Sequence, residues 1–175
     1  YFEIARDRDH LCDQLRYVLT SYGNHSAFLS WDGRPVIFIY GGVISDFGLT
    51  DFAGVFEQLE SEGLPAFYLA DRLDTEYLQV FDGLHTYILF SGMDRYVDLS
   101  PTCTGLDKIF AATVVPCYDD ARIRDRGADF HRANGTYYRD FWETIMLSKP
   151  DWVLVTSWNE WHEGSEIEPS LEFDD

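Results

Sequence analysis

Lysine is almost missing from this chain: only Lys108 and Lys149 occur in 175 residues, against 31 acidic side chains. With arginine included the basic residues number 13, so the formal net charge is -18 and the pI is near 4.4. So acidic a chain lacks the basic footprint that grips a phosphate backbone, which excludes general nucleic-acid binding and speaks against an anionic membrane surface. What the excess does supply is hydration and solubility. Long apolar runs are absent too, no stretch approaching the roughly 18 residues of a membrane-crossing helix, and no membrane segment is expected. Cys12, Cys103 and Cys117 have no CxxC spacing and give neither a zinc site nor a disulfide framework. HExxH is missing as well: His162, Glu163 and Glu166 carry ligand chemistry, but no second His stands one helical turn away, and neither a metal nor another cofactor is expected. His25, His85 and His131 are scattered and receive no chemical role. No internal repeat, linker or low-complexity tract appears. Length is short as well, since a complete eightfold α/β barrel takes about 250 residues and rarely fewer than about 200. The chain opens on Tyr1 rather than Met and carries no closing helix after its richest motif. We therefore expect one partial domain over residues 1–175, cut at both ends.

What is present is a regular alternation. Leu11, Leu15, Val18 and Leu19 share one helical face within Arg6 to Tyr22, and Gly23 can end that helix. Asp32 to Pro35 is turn chemistry, and Val36 to Tyr40 is a short β-rich apolar run of the kind a parallel sheet buries on both faces. A Gly-rich loop at Gly41 and Gly42 follows. Thr50 or Asp51 is placed to cap a helix facing inward with Phe52, Val55, Phe56 and Leu59, stopped by Gly63. Leu64 to Ala70, Leu84 to Phe90 and Ile109 to Val115 read as further strands, with only weak support for a helix between the last two. Asn134 to Leu147 puts Tyr138, Phe141, Trp142 and Ile145 on one face before Pro150, and Trp152 to Thr156 is a fifth strand. Strand, helix, strand with buried parallel strands implies an α/β fold, either a layered sheet or a barrel. In such a barrel the functional groups follow the C-terminal ends of the strands.

Those ends carry Tyr40, Asp71, Tyr87, Tyr118 with Arg124, and the densest run of all, Asn159-Glu160-Trp161-His162-Glu163. In an extended strand Glu160 and Glu163 would face opposite ways, whereas a tight turn after Ser157, which Gly164 permits, brings them together. Two neighbouring carboxylates do not both ionise readily, so one is expected to act as an acid. This is the chemistry of glycoside hydrolysis: one Glu protonates the leaving oxygen while the other is base or nucleophile. Trp158 and Trp161 would supply stacking walls, and Asn159 would hold a sugar hydroxyl or orient Glu160. Arg124 is equally suited to a substrate oxygen or to pairing with the acidic rim. Most of the aromatic residues, 17% of the chain, are expected in the core.

Between about Phe28 and Ser170 the sequence resembles family 99 of the glycoside hydrolases, the endo-α-mannosidase and endo-α-mannanase group. The resemblance rests on DGRPVIFIY at Asp32 to Tyr40, FDGLHTY at Phe81 to Tyr87, PCYDDARIR through RANGTYY at Pro116 to Tyr138, and TSWNEWHEGSEIEP at Thr156 to Pro169. It implies an incomplete (β/α)8 barrel of the triosephosphate-isomerase type, lacking its first strands and closing helix, that cleaves α-mannosidic linkages within glycans with retention, through the glutamates of NEWHEG, here Glu160 and Glu163. By the same matching the first assists the sugar 2-hydroxyl in forming a 1,2-anhydro sugar, and the second is general acid and then base. Tyr87, Tyr118 and Arg124 fall near the reacting sugar, with Trp158, Asn159, Trp161 and His162 as further substrate-binding residues. The chain departs from the pattern at Tyr40-Gly41-Gly42-Val43, where YDSY is usual, and at IRDRG, where IRPWN is usual. A related lineage with NEWGEG-type motifs, attached to surface-polysaccharide biosynthesis, is the alternative, and a non-catalytic glycan-binding domain is another. His162 favours the hydrolases.

Overall fold

The first helix begins where Asp7 accepts the backbone N–H of His10 at 2.8 Å, satisfying one of the donors that a helix start leaves unpaired. The computed structural model describes residues 7–87, 94–121, 123–125, 127 and 129–169. It divides into two compact units, Tyr1–His85 and Thr86–Asp175.

In the first unit α1 (Arg8–Tyr22) buries Leu11, Cys12, Leu15 and Leu19, the face expected from its spacing with Cys12 added. A hairpin follows, β1 (Ser30–Trp31) antiparallel to β2 (Arg34–Ile39), joined by Asp32 and Gly33, both at positive φ as a two-residue turn of this kind requires. The strand thus starts earlier than the apolar run alone suggests. The expected glycine loop is instead a short helix, α2 (Gly41–Asp46), whose first N–H donates to Asp71 Oδ2 at 2.8 Å. Asp71 is thereby engaged by backbone. α3 (Leu49–Ser61) buries Phe52, Val55 and Leu59, and Asp51 caps it from inside the first turn by accepting the Gly48 N–H at 3.0 Å. At its end Gly63 takes φ +77°, while the N–H groups of Gly63 and Leu64 return to the carbonyls of Glu60 and Leu59. That is a Schellman closure, and it needs the left-handed residue.

β3 (Phe67–Asp71) pairs parallel to β2, and after a 3-10 turn at Thr75–Gln79, β4 (Gly83–His85) pairs parallel to β3. The order within this unit is β1-β2-β3-β4. Its core is aromatic: Phe56 stacks on Tyr68 with centroids 3.7 Å apart, and Phe81 packs edge-on against Phe52 and Phe56. Asp82 ties the end of this segment to the sheet, accepting from the Tyr68 N–H at 3.0 Å and from Arg34 at 3.2 Å.

In the second unit the part of the expected strand Leu84 to Phe90 beyond Tyr87 lies outside the described residues. α4 (Arg95–Gly105) is a full helix where little support was legible. Tyr96, Leu99, Ser100 and Cys103 form its buried face at helical spacing, and Pro101 sits inside it. β5 (Ile109–Val114) and β8 (Trp152–Val155) pair in parallel, in register from Ala111 opposite Trp152 to Val114 opposite Val155. Between them lie a small antiparallel ribbon, β6 (Tyr118–Asp119) with β7 (Asp129–Phe130), and α5 (Thr136–Leu147), which buries Phe141 and Ile145. β6 and β7 are too short to leave a periodic signal. Tyr96 packs on Phe110 and shares a 2.7 Å hydrogen bond with Thr86, whose carbonyl accepts from the Thr113 hydroxyl. Both units are thus mixed α/β with parallel pairing at their centres. Cys12, Cys103 and Cys117 are all free and buried. Among the described residues no helix is long and apolar enough to cross a membrane.

Candidate active site

β8 runs out at Val155, and the next residue, Thr156, is held on both sides. Its N–H donates to Val114 O at 3.0 Å and its hydroxyl to Tyr87 O at 2.6 Å. From this anchor, after a cis Thr156–Ser157 peptide, the chain loops back upon itself. Ser157 N–H donates to Ser165 O at 2.8 Å, their hydroxyls meet at 3.0 Å, and Ser157 Oγ accepts the Glu160 N–H at 3.0 Å. Glu163 N–H then returns to Glu160 O at 3.2 Å, which closes the tight turn expected between these glutamates. Gly164, at φ +62°, lets the chain leave the turn.

The turn faces the segment after β5. Asp119 N–H donates to Glu163 O at 2.8 Å, and Cys117 Sγ approaches Gly164 O, so β6 and the loop hold each other through backbone. Tyr118 and Asp120 are buried, and the Tyr118 hydroxyl donates to Asp120 Oδ2 at 3.0 Å. Arg124 Nη1 donates to that same carboxylate and to the Tyr118 oxygen, while Nη2 reaches Glu163 Oε1 at 3.0 Å. The Glu163 side chain is only 14% exposed, and Arg124 is 53% exposed. Burial, then Asp120 and the charge of Glu163, push the Tyr118 hydroxyl well above the usual tyrosine range, so it remains a proton donor. Asp120, Glu163 and Tyr118 together hold the Arg124 guanidinium in its charged form.

Arg124 therefore bridges Tyr118 and Glu163, and Glu160 shares the turn of Glu163. Glu160 is half-buried, and among the described residues its carboxylate has no hydrogen-bonding partner. Tyr87 meets the base of the loop through its carbonyl. Trp158 and Trp161 are 59% and 57% exposed, and Asn159 and His162 are exposed beside them. A cavity of about 290 Å³ opens next to the turn, with Trp161, His162, Asp119, Phe130 and Arg132 among its walls. Of the residues weighed as metal ligands, Glu163 is engaged by Arg124 and Glu166 by Arg132, at 3.7 Å and through its backbone oxygen. Among the described residues no three His, Cys, Asp or Glu side chains converge as ligands.

A half-buried carboxylate on the same turn as a second one held by arginine, with exposed rings beside them, is suited to acid–base work on a sugar. The sequence profile of Glycosyl hydrolase family 99 matches residues 2–173. The chain belongs to this family. It is 26% identical to the Glycoprotein endo-alpha-1,2-mannosidase of Mus musculus, over 95% of this chain and 40% of that protein. The Xenopus laevis protein of the same name is 28% identical over 98% of this chain and 43% of its own length. The chain thus spans about two fifths of the curated relatives it matches. Its fold superposes with a TM-score of 0.83 on the GH99 endo-alpha-mannosidase of Bacteroides thetaiotaomicron, 26% identical, covering 94% of this chain and 53% of that one.

Within this family-99 chain, reading the sequence overlooked Asp120, Asp119 and the Ser157–Ser165 brace. Only Asp120 left a sequence signal: an Asp four residues ahead of an Arg in PCYDDARIR, a pairing spacing on any helical turn.

Proposed function

We propose that the protein is a retaining, endo-acting glycoside hydrolase for α-mannoside-like linkages in glycans, with Glu163 as general acid and base and Glu160 as its partner base. The observation that carries this is the single turn holding both carboxylates, its second member gripped by Arg124 and flanked by Trp158 and Trp161. Family membership and the named mannosidases among its relatives support the choice of linkage. In each unit, strand–helix alternation with parallel pairing is what an eightfold (β/α) barrel is built from, and that is the architecture we assign to the catalytic domain.

In the proposed reaction Glu160 takes the proton of the sugar 2-hydroxyl, whose oxygen attacks the anomeric carbon. The glycosidic C–O bond breaks as Glu163 gives its proton to the leaving oxygen, which leaves a 1,2-anhydro sugar. Water, losing a proton to Glu163, then opens that ring at the anomeric carbon, and the 2-oxygen regains its proton from Glu160. Both glutamates end as they began, and two inversions give retention. Nothing in this sequence draws on a metal or cofactor.

The test is mass spectrometry of α-mannose-containing oligosaccharides incubated with the intact protein and with Glu160→Gln and Glu163→Gln. We expect internal cleavage by the wild type and losses of about 10²–10⁴ in turnover for either variant, the usual size of an acid–base contribution, with glycan binding retained. Undiminished cleavage in both variants would sink the assignment. A folded wild type that binds but never cleaves would point to a glycan-binding role, and dependence on a sugar nucleotide to the polysaccharide-biosynthesis lineage.

A further inference from the structure

An arginine that is half in solvent has no reason to keep one rotamer, because its long side chain carries much conformational entropy. Arg124 nevertheless donates along one edge to Asp120 and Tyr118 and along the other to Glu163. What distinguishes the first edge is burial. The Asp120 side chain is 6% exposed, whereas that of Arg124 is 53% exposed. A carboxylate so far from water is costly unless paired, and here Oδ2 accepts from both the Tyr118 hydroxyl and the guanidinium. Backbone locks the geometry: the N–H groups of Ile123 and Arg124 both donate to Asp120 O at 2.9 Å, a turn that presents Arg124 four residues on. Gly127 closes over it so tightly that a Cβ there would sit 2.5 Å from Ala121 Cα and 2.7 Å from Asp120 Oδ1.

We propose that Asp120 is a positioning residue, whose buried carboxylate fixes Arg124 and Tyr118 so that the free edge of the guanidinium meets Glu163 in one geometry. The inference rests on reading Glu163 as the acid and base. Asp120 touches no reacting atom and acts through Arg124. Its removal leaves Arg124 charged but unanchored, so Glu163 loses its fixed partner rather than its environment.

The test uses the intact protein, with Asp120→Asn, Arg124→Gln and the double variant, and two kinds of measurement. In kinetics on an α-mannoside oligosaccharide, Asp120→Asn should lower kcat by about ten- to a hundredfold, as mispositioning does, with KM changed less than about twofold. The double variant should be no slower than Arg124→Gln alone, because the two residues act in series. In 15N NMR of arginine side chains, Arg124 should show separate, slowly exchanging Nη resonances in the wild type that merge in Asp120→Asn. The NMR arm does not depend on turnover. A freely rotating Arg124 in the wild type overturns the proposal even if the variant fails to fold, and so does an immobile Arg124 in folded Asp120→Asn. Additive losses in the double variant overturn it as well. A wild type without mannosidase activity fails the functional reading, while the NMR comparison still decides the bridge.

Discussion

At the scale of single residues, the site shows two kinds of polar side chain doing different work. Trp158 and Trp161 are exposed and Glu160 half-buried, while Tyr118, Asp120 and Glu163 are withdrawn and all three are bonded by Arg124. Exposed indole rings are a liability in water unless something covers them, and a sugar ring offers the C–H face that does so. Trp161→Ala, made in a Glu163→Gln background so that binding is not confounded by turnover, should weaken oligosaccharide binding about tenfold, equivalent to about 1.4 kcal/mol. Calorimetric titration measures it, and unchanged affinity would remove Trp161 from the binding surface. Glu160, Glu163, Tyr118 and Arg124 were legible because they stand in dense motifs. Asp120 was overlooked, since in a chain with 31 acidic residues its spacing of four from Arg124 is too common a mark to single it out. Burial is what sets it apart from its neighbours, and burial is decided by segments distant in sequence.

At the scale of elements, helices declared themselves where an apolar face met a clean stop, as in α1, α3 and α5. α4 was hidden by Pro101, although Tyr96, Leu99, Ser100 and Cys103 already stood at spacings of one buried face. A proline costs a helix one hydrogen bond and a clash, and α4 survives it because tertiary burial outweighs local propensity. The stop of α3 can be tested cleanly. A Cβ at Gly63 would meet nothing within 4 Å, so the only penalty of Gly63→Ala is the backbone angle of +77°. We expect a loss of about 1 kcal/mol, read as a lower urea midpoint at unchanged slope, and a smaller loss for Gly63→Asn, which tolerates that angle better. Equal stability of all three proteins would mean that the left-handed closure does not form in solution.

At the scale of the whole molecule, the α/β class and the parallel sense of its strands followed from alternation and continuous apolar runs, which are local, whereas the register of each pair is a long-range outcome that periodicity does not encode. The family profile runs across both units, ending two residues short of the last. The first unit also contains one thiol out of reach of solvent and the second unit two. Burial raises all three above the ordinary thiol range, Cys103 to about 11 with Asp151 nearby. At neutral pH they are therefore protonated as well as hidden, doubly protected from electrophiles, because only the thiolate attacks. Alkylation must wait for the surrounding structure to open, and its rate then reports how often that happens. Cys12 times the first unit, and Cys103 and Cys117 time the second. Modification should be at least about a thousandfold slower in native buffer than in denaturant, followed by mass spectrometry peptide by peptide. A thiol that reacts at the unfolded rate would mark the part of the molecule that breathes. The same cysteines that form no disulfide in the folded protein thus act as internal clocks for its unfolding.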